Sequence, residues 1–303
     1  MISIIICSRQ HDIPKKLRDN IEQTIGVEYE LVIIDNADNK YNIFTAYNKG
    51  VSLSRYPILL FMHDDILFHT NNWGNKVMAH FKNDQVGGIG ISGTPYLSFM
   101  YGGWWSVGVG NLHLLQGSPG NPTPVLYDFS SKFSPPGEVV ALDGVWFCLR
   151  KEVFDKVTFD ELSYQGFHFY DLDITLQVYN QGYKLLFIKD ILIEHASIGV
   201  LDENWINNLS IFQKKWGNIL PVSCIHPSVK QQCLIEYRVL NTYISDQLRI
   251  LNGYGKKKIE TKIYLFALKQ LLSFRKGYLY FKTPYWIAKL LFQYLSILFR
   301  KSE

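Results

Sequence analysis

The chain has 303 residues, 47% hydrophobic and 19% charged, with a mean hydropathy near zero, which excludes a disordered polymer and suffices for one large domain or two ordinary ones. Four cysteines, Cys7, Cys148, Cys224 and Cys233, form no CxxC pair, so a disulfide scaffold and a structural zinc site are excluded and a reducing, intracellular setting is expected. The formal charge of +4 hides an asymmetry, because residues 1–255 sum to −5 and residues 256–303 to +9, the mark of a body with a basic tail that seeks phosphate.

Met1–Cys7 is apolar but lacks the basic flank and the length of a signal peptide. Ser3–Cys7, Glu30–Asp35, Pro57–Met62 and Val86–Ser92 are short apolar runs of the kind that fill strands buried on both faces. Between them, Ile13–Ile25, Asn42–Ser54 and Asn72–Asn83 carry helical spacing, so right-handed βαβ crossovers and a parallel sheet are predicted. Residues 93–137 turn rich in Gly, Pro, Tyr and Trp and read as a long binding loop or lid. Strands follow at Glu138–Leu142 and Val145–Leu149, then a helix over Tyr170–Asn180 stopped by Gly182. Lys184–Ile188 and Ile191–His195 read as two more strands, and Trp205–Trp216 as a helix closing the body. In the tail, Tyr285–Phe299 has only Lys289, Gln293 and Ser296 as polar breaks, a narrow stripe on a helix. Its length, roughly 22 Å, falls short of the ~30 Å bilayer core. Lys256, Lys257 and Lys258 open the tail, and Lys282, Arg300 and Lys301 flank the helix. An anionic membrane surface suits this pattern, with packing on the body or on a second subunit as the alternative.

Ligands of parallel sheets gather where strands end at their carboxyl edge. Those ends carry Ser8-Arg9, Asp35-Asn36 and His63-Asp64-Asp65. Adjacent carboxylates there suit a hard divalent cation shared with substrate phosphates. Asp171 and Asp173 open the predicted helix at Tyr170, Asp173 suited to capping and Asp171 free to act as a general base. His195 follows a late strand and could complete a metal shell. Gly88–Gly93 matches GxGxxG but lies within a strand and precedes a loop, so it is rejected as a dinucleotide fingerprint.

In order, these segments resemble the inverting GT-A glycosyltransferases of the family 2-like group, over roughly residues 2–217. SIIICSRQ resembles the first strand and nucleotide-binding turn, and LVIIDNAD the second strand with its base- or ribose-binding acid, Asp35. TAYNKGVSLSRYPILLFMHDDILF resembles the Asn-x-Gly helix, here with Asn48, followed by the Asp-x-Asp metal motif. Asp65 takes its metal-binding position, Asp64 the variable middle one, and His63 stands where the first Asp is usual. ALDGVWFCLRKEVF places Asp143 and Gly144 near the acceptor. FHFYDLDITLQVYNQGYKLLFI resembles the Glu-Asp-x-Asp segment with Tyr170 in place of Glu, which makes Asp171 the catalytic base and sets Asp173 on the acceptor side. IEHASIG supplies His195.

The resemblance implies an α/β, GT-A (Rossmann-like), mostly parallel sheet flanked by helices over residues 1–225, with a basic helical region over 226–303. It implies a hexosyltransferase-like enzyme using Mn²⁺ or Mg²⁺, bound by Asp65, His195 and His63. The donor is a nucleotide sugar, a UDP-sugar foremost, held by Ser8, Arg9, Asp35, Asn48 and Asp64. The acceptor is a glycan or lipid-linked molecule in surface polysaccharide synthesis, with Trp104 and Trp105 stacking on sugar faces. A cytoplasmic protein, peripheral on the inner membrane face, is expected. A nucleotide-sugar-binding protein without turnover is the alternative. Nucleic acid is not expected as a partner, because the −5 body would repel its backbone.

Overall fold

β1 (Ile2–Ser8), β2 (Tyr29–Asp35) and β3 (Ile58–Met62) form where the apolar runs predict them, and nearly every side chain of β1 and β3 is buried. A computed structural model describes residues 1–98, 100, 103–118, 121–130, 137–252, 256–273 and 283–299. Tail residues Lys282, Arg300 and Lys301, and parts of the 93–137 segment, lie outside the described residues.

The remaining strands among the described residues are β4 (Ile66–Phe68), β5 (Val86–Gly90), β6 (Ser92–Thr94), β7 (Tyr96–Leu97), β8 (Asn111–Ser118), β9 (Asn121–Phe129), β10 (Glu138–Val139), β11 (Ala141–Leu142), β12 (Trp146–Arg150), β13 (Lys184–Phe187), β14 (Ile193–His195) and β15 (Val222–Ser223). The helices are α1 (Lys15–Thr24), α2 (Ile43–Leu53), α3 (Trp73–His80), α4 (Tyr170–Asn180), α5 (Glu203–Trp216), α6 (Val229–Ile250), α7 (Lys257–Ser273) and α8 (Thr283–Phe299). They fall into two compact units. One comprises Met1–Tyr96, Val109–Val200 and Ser223–Ile225, and the other Leu97–Gly108, Leu201–Val222 and His226–Glu303.

The first unit is built on a seven-stranded sheet in the order β10-β13-β5-β12-β3-β1-β2. β1 pairs parallel with β2 and β3, and β13 pairs parallel with β5. β12 enters antiparallel between β3 and β5, and β10 closes the edge antiparallel to β13. One face packs Ile2, Ile4, Ile6, Leu60 and Met62 against Leu17 and Ile21 of α1 and Trp73 and Val77 of α3. Burial of each such side chain stabilises by about 1.5–3 kcal/mol before entropy is counted. The other face is aromatic, with Phe61 stacked on Phe147 at 5.1 Å and tilted against Tyr47 at 5.0 Å. Helix α2 lies close on this face because Gly50 has no side chain; a Cβ there would sit 2.3 Å from Ile5 Cγ2.

A second sheet, β11-β6-β8-β14-β4 with β9 paired to β8, occupies much of the segment expected to be a loop. Its hairpin tolerates Pro122 and Pro124 because β9 is an edge strand, where a missing N–H costs no ladder bond. Val86–Ser92 is likewise not one strand but two, β5 and β6, belonging to different sheets. The GxGxxG glycines are strand residues: Gly88 pairs with Leu149 and Leu185, and Gly90 with Phe147 and Phe187.

In the second unit α5 is capped by Asp202, whose side chain accepts the Trp205 N–H. A capping box of Ser228 and Gln231 opens α6. Lys289 of α8 donates to the Tyr237 hydroxyl of α6 at 2.9 Å. Leu290 and Ile297 of α8 are buried, whereas Leu291, Phe292, Leu295 and Phe299 are exposed, the two phenylalanines at 76% and 82%. No helix among the described residues is long and apolar enough to cross a membrane.

Candidate active site

The carboxyl ends of β1, β2 and β3 bring residues 9, 35–36 and 63–65 to one edge of the sheet. β12 runs the other way, so the turn at Asp143-Gly144 just before it reaches that same edge. A cleft of about 620 Å³ opens there, with Arg9, Asn36, Tyr41, Asp64, Asp65 and Phe167 in its wall. That volume is typical of a small-molecule site.

At its floor three groups converge. His63 Nδ1 is 3.2 Å from His195 Nε2, and Asp65 Oδ1 lies 3.5 Å from His195 Nε2 and 4.0 Å from His63 Nδ1. All three ligand atoms lie within 4.8 Å of one another. Asp65 Oδ1 is buried and has no hydrogen-bond partner. An orphaned carboxylate oxygen facing two imidazole nitrogens is costly unless a cation lies between them, so these residues fit a divalent ion.

The electrostatics agree. Burial and the neighbouring His195 pull His63 down to about 4, which keeps its imidazole neutral, the form that binds metals. Burial pushes Asp65 up, but the adjoining His195 and Ser197 side chains outweigh it and hold this carboxyl well below the usual range. Gln116 fixes the His195 ring. Its amide nitrogen donates to the carbonyls of Gly117, His195 and Ser197, so its oxygen is left to accept from His195 Nδ1 at 3.4 Å.

Beside these three groups, Arg9 grips Asp64 through its backbone N–H at 3.0 Å and its guanidinium at 2.7 Å, and reaches to 3.7 Å from Asp65. This places an exposed cation at the cleft next to the carboxylates. Ser8 is buried and shapes the turn, donating to Asp12 O and accepting from Gln10 N. Asp35 is exposed at the end of β2, 3.0 Å from His11 Nδ1. The side chain of the following Asn36 closes the loop, its amide nitrogen donating to Tyr41 O and its amide oxygen accepting from Tyr41 N.

Asp171 sits in the first turn of α4, preceded by Phe169 in the left-handed region at φ 73°. Such a conformation costs on the order of 1–3 kcal/mol and is tolerated where surrounding structure enforces it. Asp171 accepts the Gly144 N–H at 2.8 Å and the Leu172 N–H at 2.9 Å. Burial, reinforced by the charge of Asp143, pushes its carboxyl up to about 7, a value suited to a general base near neutral pH.

Two expectations need correction in their geometry. Asn48 is not in the cleft wall, because its amide donates to Phe159 O and accepts from Phe159 N and Thr158 Oγ1, tying α2 to that segment. Asp173 is 1% exposed and bonded to Tyr164 and Gln177, so it braces α4 and is closed to an acceptor. Trp104 and Trp105, whose sugar-stacking role stays a proposal, belong to the second unit and meet edge to face at 6.1 Å, with Trp105 6.5 Å from Trp205. Conversely, Gln116, Ser197, Tyr41 and Phe167 belong to the site without having been expected there. Only Ser197, two residues beyond His195, carried a positional hint.

A Rossmann-like sheet with a carboxylate–imidazole cleft at its carboxyl edge defines the GT-A class of α/β protein. Residues 3–216 match the Glycosyltransferase like family, and the chain belongs to that family. No curated protein matches. Among solved structures the chain is similar to S. aureus TarS 1-349, at 14% identity and TM-score 0.52, covering 98% of this chain and 89% of that one. It is also similar to the mannosyltransferase PcManGT of Pyrobaculum calidifontis, at 11% identity and TM-score 0.41, covering 99% and 88%. GalNAc-T7 aligns at 12% identity and TM-score 0.48, over 72% of this chain and 49% of that one. At that identity, the likeness to TarS speaks for a shared fold alone.

Proposed function

We propose that the protein is a metal-dependent, inverting glycosyltransferase that moves a hexosyl group from a nucleotide sugar, a UDP-sugar foremost, to a glycan or lipid-linked hydroxyl in surface polysaccharide synthesis. The observation that carries this reading is the partnerless, buried Asp65 Oδ1 facing His63 and His195 on the floor of the cleft, in a chain of this family. A Mn²⁺ or Mg²⁺ ion held by Asp65, His195 and His63 would supply charge neutralisation for a diphosphate leaving group. Arg9, clamped by Asp64, would meet the same phosphates, and the loop from Asp35 to Tyr41 would border the nucleoside. Asp171 would accept the proton of the acceptor hydroxyl as it attacks the anomeric carbon from the face opposite the leaving group. The turn at Asp143 and Gly144 positions this base through the Gly144 N–H. Catalytic function is assigned to residues 1–225.

The test is donor turnover. With a panel of UDP- and GDP-sugars, hydrolysis or transfer should appear with Mn²⁺ and vanish in EDTA. Metal-dependent nucleotide binding with no turnover of any donor would favour a binding protein instead.

We also propose that α8 rests on an anionic membrane surface. The supporting observation is its exposed stripe of Leu291, Phe292, Leu295 and Phe299 in the basic +9 region. The full chain should sediment with anionic liposomes at low salt, and Phe292→Ser with Phe299→Ser should leave it in the supernatant. Equal sedimentation of both proteins would overturn this placement.

A further inference from the structure

His63 and Tyr170 are 107 residues apart, and they are the two positions at which the chain departs from the motifs it resembles. The structure brings them into contact: His63 Nε2 is 3.2 Å from the Tyr170 hydroxyl. That hydroxyl has a single proton, and it lies 3.1 Å from Gly144 O, which can only accept. Both contacts are satisfied together only if Tyr170 donates to Gly144 O and His63 Nε2–H donates to Tyr170. His63 Nδ1 is then a bare lone pair. By the same logic the Gln116 contact leaves His195 Nε2 without a proton, with the Ser197 hydroxyl 3.4 Å from it, and the two unprotonated nitrogens face each other at 3.2 Å beside Asp65 Oδ1. Nor can the Tyr170 hydroxyl swing away. Its ring is buried and wedged edge-on against Tyr47 at 5.4 Å and Phe44 at 6.4 Å, with Phe167 at 5.5 Å.

We infer that Tyr170 is a positioning residue for the metal centre, fixing the tautomer and orientation of His63 so that the site presents two imidazole nitrogens and one carboxylate oxygen. This rests on the metal-dependent reading above and adds a consequence to it. Ions that accept imidazole, Mn²⁺ among them, bind such a donor set well, whereas Mg²⁺ prefers oxygen ligands and is discriminated against. Outer-shell partners of a ligating histidine typically govern 10–100-fold in metal affinity.

The test is Mn²⁺ titration of the full-length protein without donor, following free Mn²⁺ by electron paramagnetic resonance, with Mg²⁺ as competitor. Tyr170→Phe removes one oxygen and keeps the ring, and should weaken Mn²⁺ binding about 10–100-fold. In a His63→Ala background the same change should have no further effect, because the hydroxyl acts through His63. His63→Asp should shift the Mn²⁺/Mg²⁺ preference toward Mg²⁺. Tyr170→Phe within twofold of wild type, an equal loss in the His63→Ala background, undetectable Mn²⁺ binding, or Mg²⁺ competing on equal terms would each overturn the inference. A protein that binds Mn²⁺ in this way yet turns over no sugar donor would support the inference and sink the transferase reading. Turnover in Mg²⁺ that is indifferent to Tyr170→Phe would do the reverse.

Discussion

Asp65→Ala should weaken Mn²⁺-dependent nucleotide binding by at least about 100-fold, the upper end of what loss of mere outer-shell support costs a metal site. Asp65 contributes the one carboxylate oxygen among the three ligand atoms, and that oxygen is buried without a hydrogen-bond partner. Without it, two neutral imidazoles remain, 3.2 Å apart and short of charge for a divalent ion against a diphosphate. Calorimetric titration with UDP, with and without Mn²⁺, checks this. The loss should be confined to the metal-containing arm, and unchanged affinity in Mn²⁺ would remove Asp65 from the centre.

Asp171→Asn should lower kcat by about 10²–10⁴ while leaving nucleotide affinity nearly unchanged, since a base acts on the proton that moves in the transition state. Retention of more than about a tenth of the rate would move the base elsewhere. The wild-type enzyme should also gain activity as pH rises through about 7, where Asp171 ionises. Stability runs the opposite way. A carboxyl whose folded-state value is raised from 3.8 to about 7 keeps its proton in the native state while the unfolded chain releases it. The folded form therefore loses stability between those two values and does not recover it above them. Asp171→Asn, which cannot ionise, should melt higher than wild type at pH 8 and not at pH 4. Thermal melts at the two pH values read this difference directly, and equal shifts at both would contradict a buried carboxyl.

What the sequence made legible follows from the range of the interactions involved. β1, β3 and β5 were readable because strands buried on both faces are apolar throughout, and the residues at their ends could be named with them. Asp65 and His195 each announce themselves at such an end. The hairpin of β8 and β9 was not readable, because its prolines, glycines and polar residues lack a period, and only pairing makes them strands. Gln116 went unseen for the same reason. Asn48 and Asp173 stand in suggestive positions, yet their polar atoms are engaged by Phe159, Thr158, Tyr164 and Gln177. Short-range spacing cannot reveal where a hydrogen bond goes 111 residues away, nor that Tyr170 would find His63.

The antiparallel entry of β12 between β3 and β5 has a bearing on how the protein is made. When the ribosome has delivered residue 145, five strands of the main sheet have been made, but nothing joins β3 to β5. Each exposes a bare, wholly apolar edge, the kind that recruits other chains. At about 5–20 residues per second, several seconds separate the emergence of β3 from that of its partner. The loop that must close to pair Met62 with Trp146 spans more than eighty residues, a contact of high order and slow formation. His195 arrives later still. A nascent chain arrested between β5 and β12 is therefore left with one open edge on β3, two on β5 and no site, so this stretch of translation is where the protein most needs shielding by a chaperone.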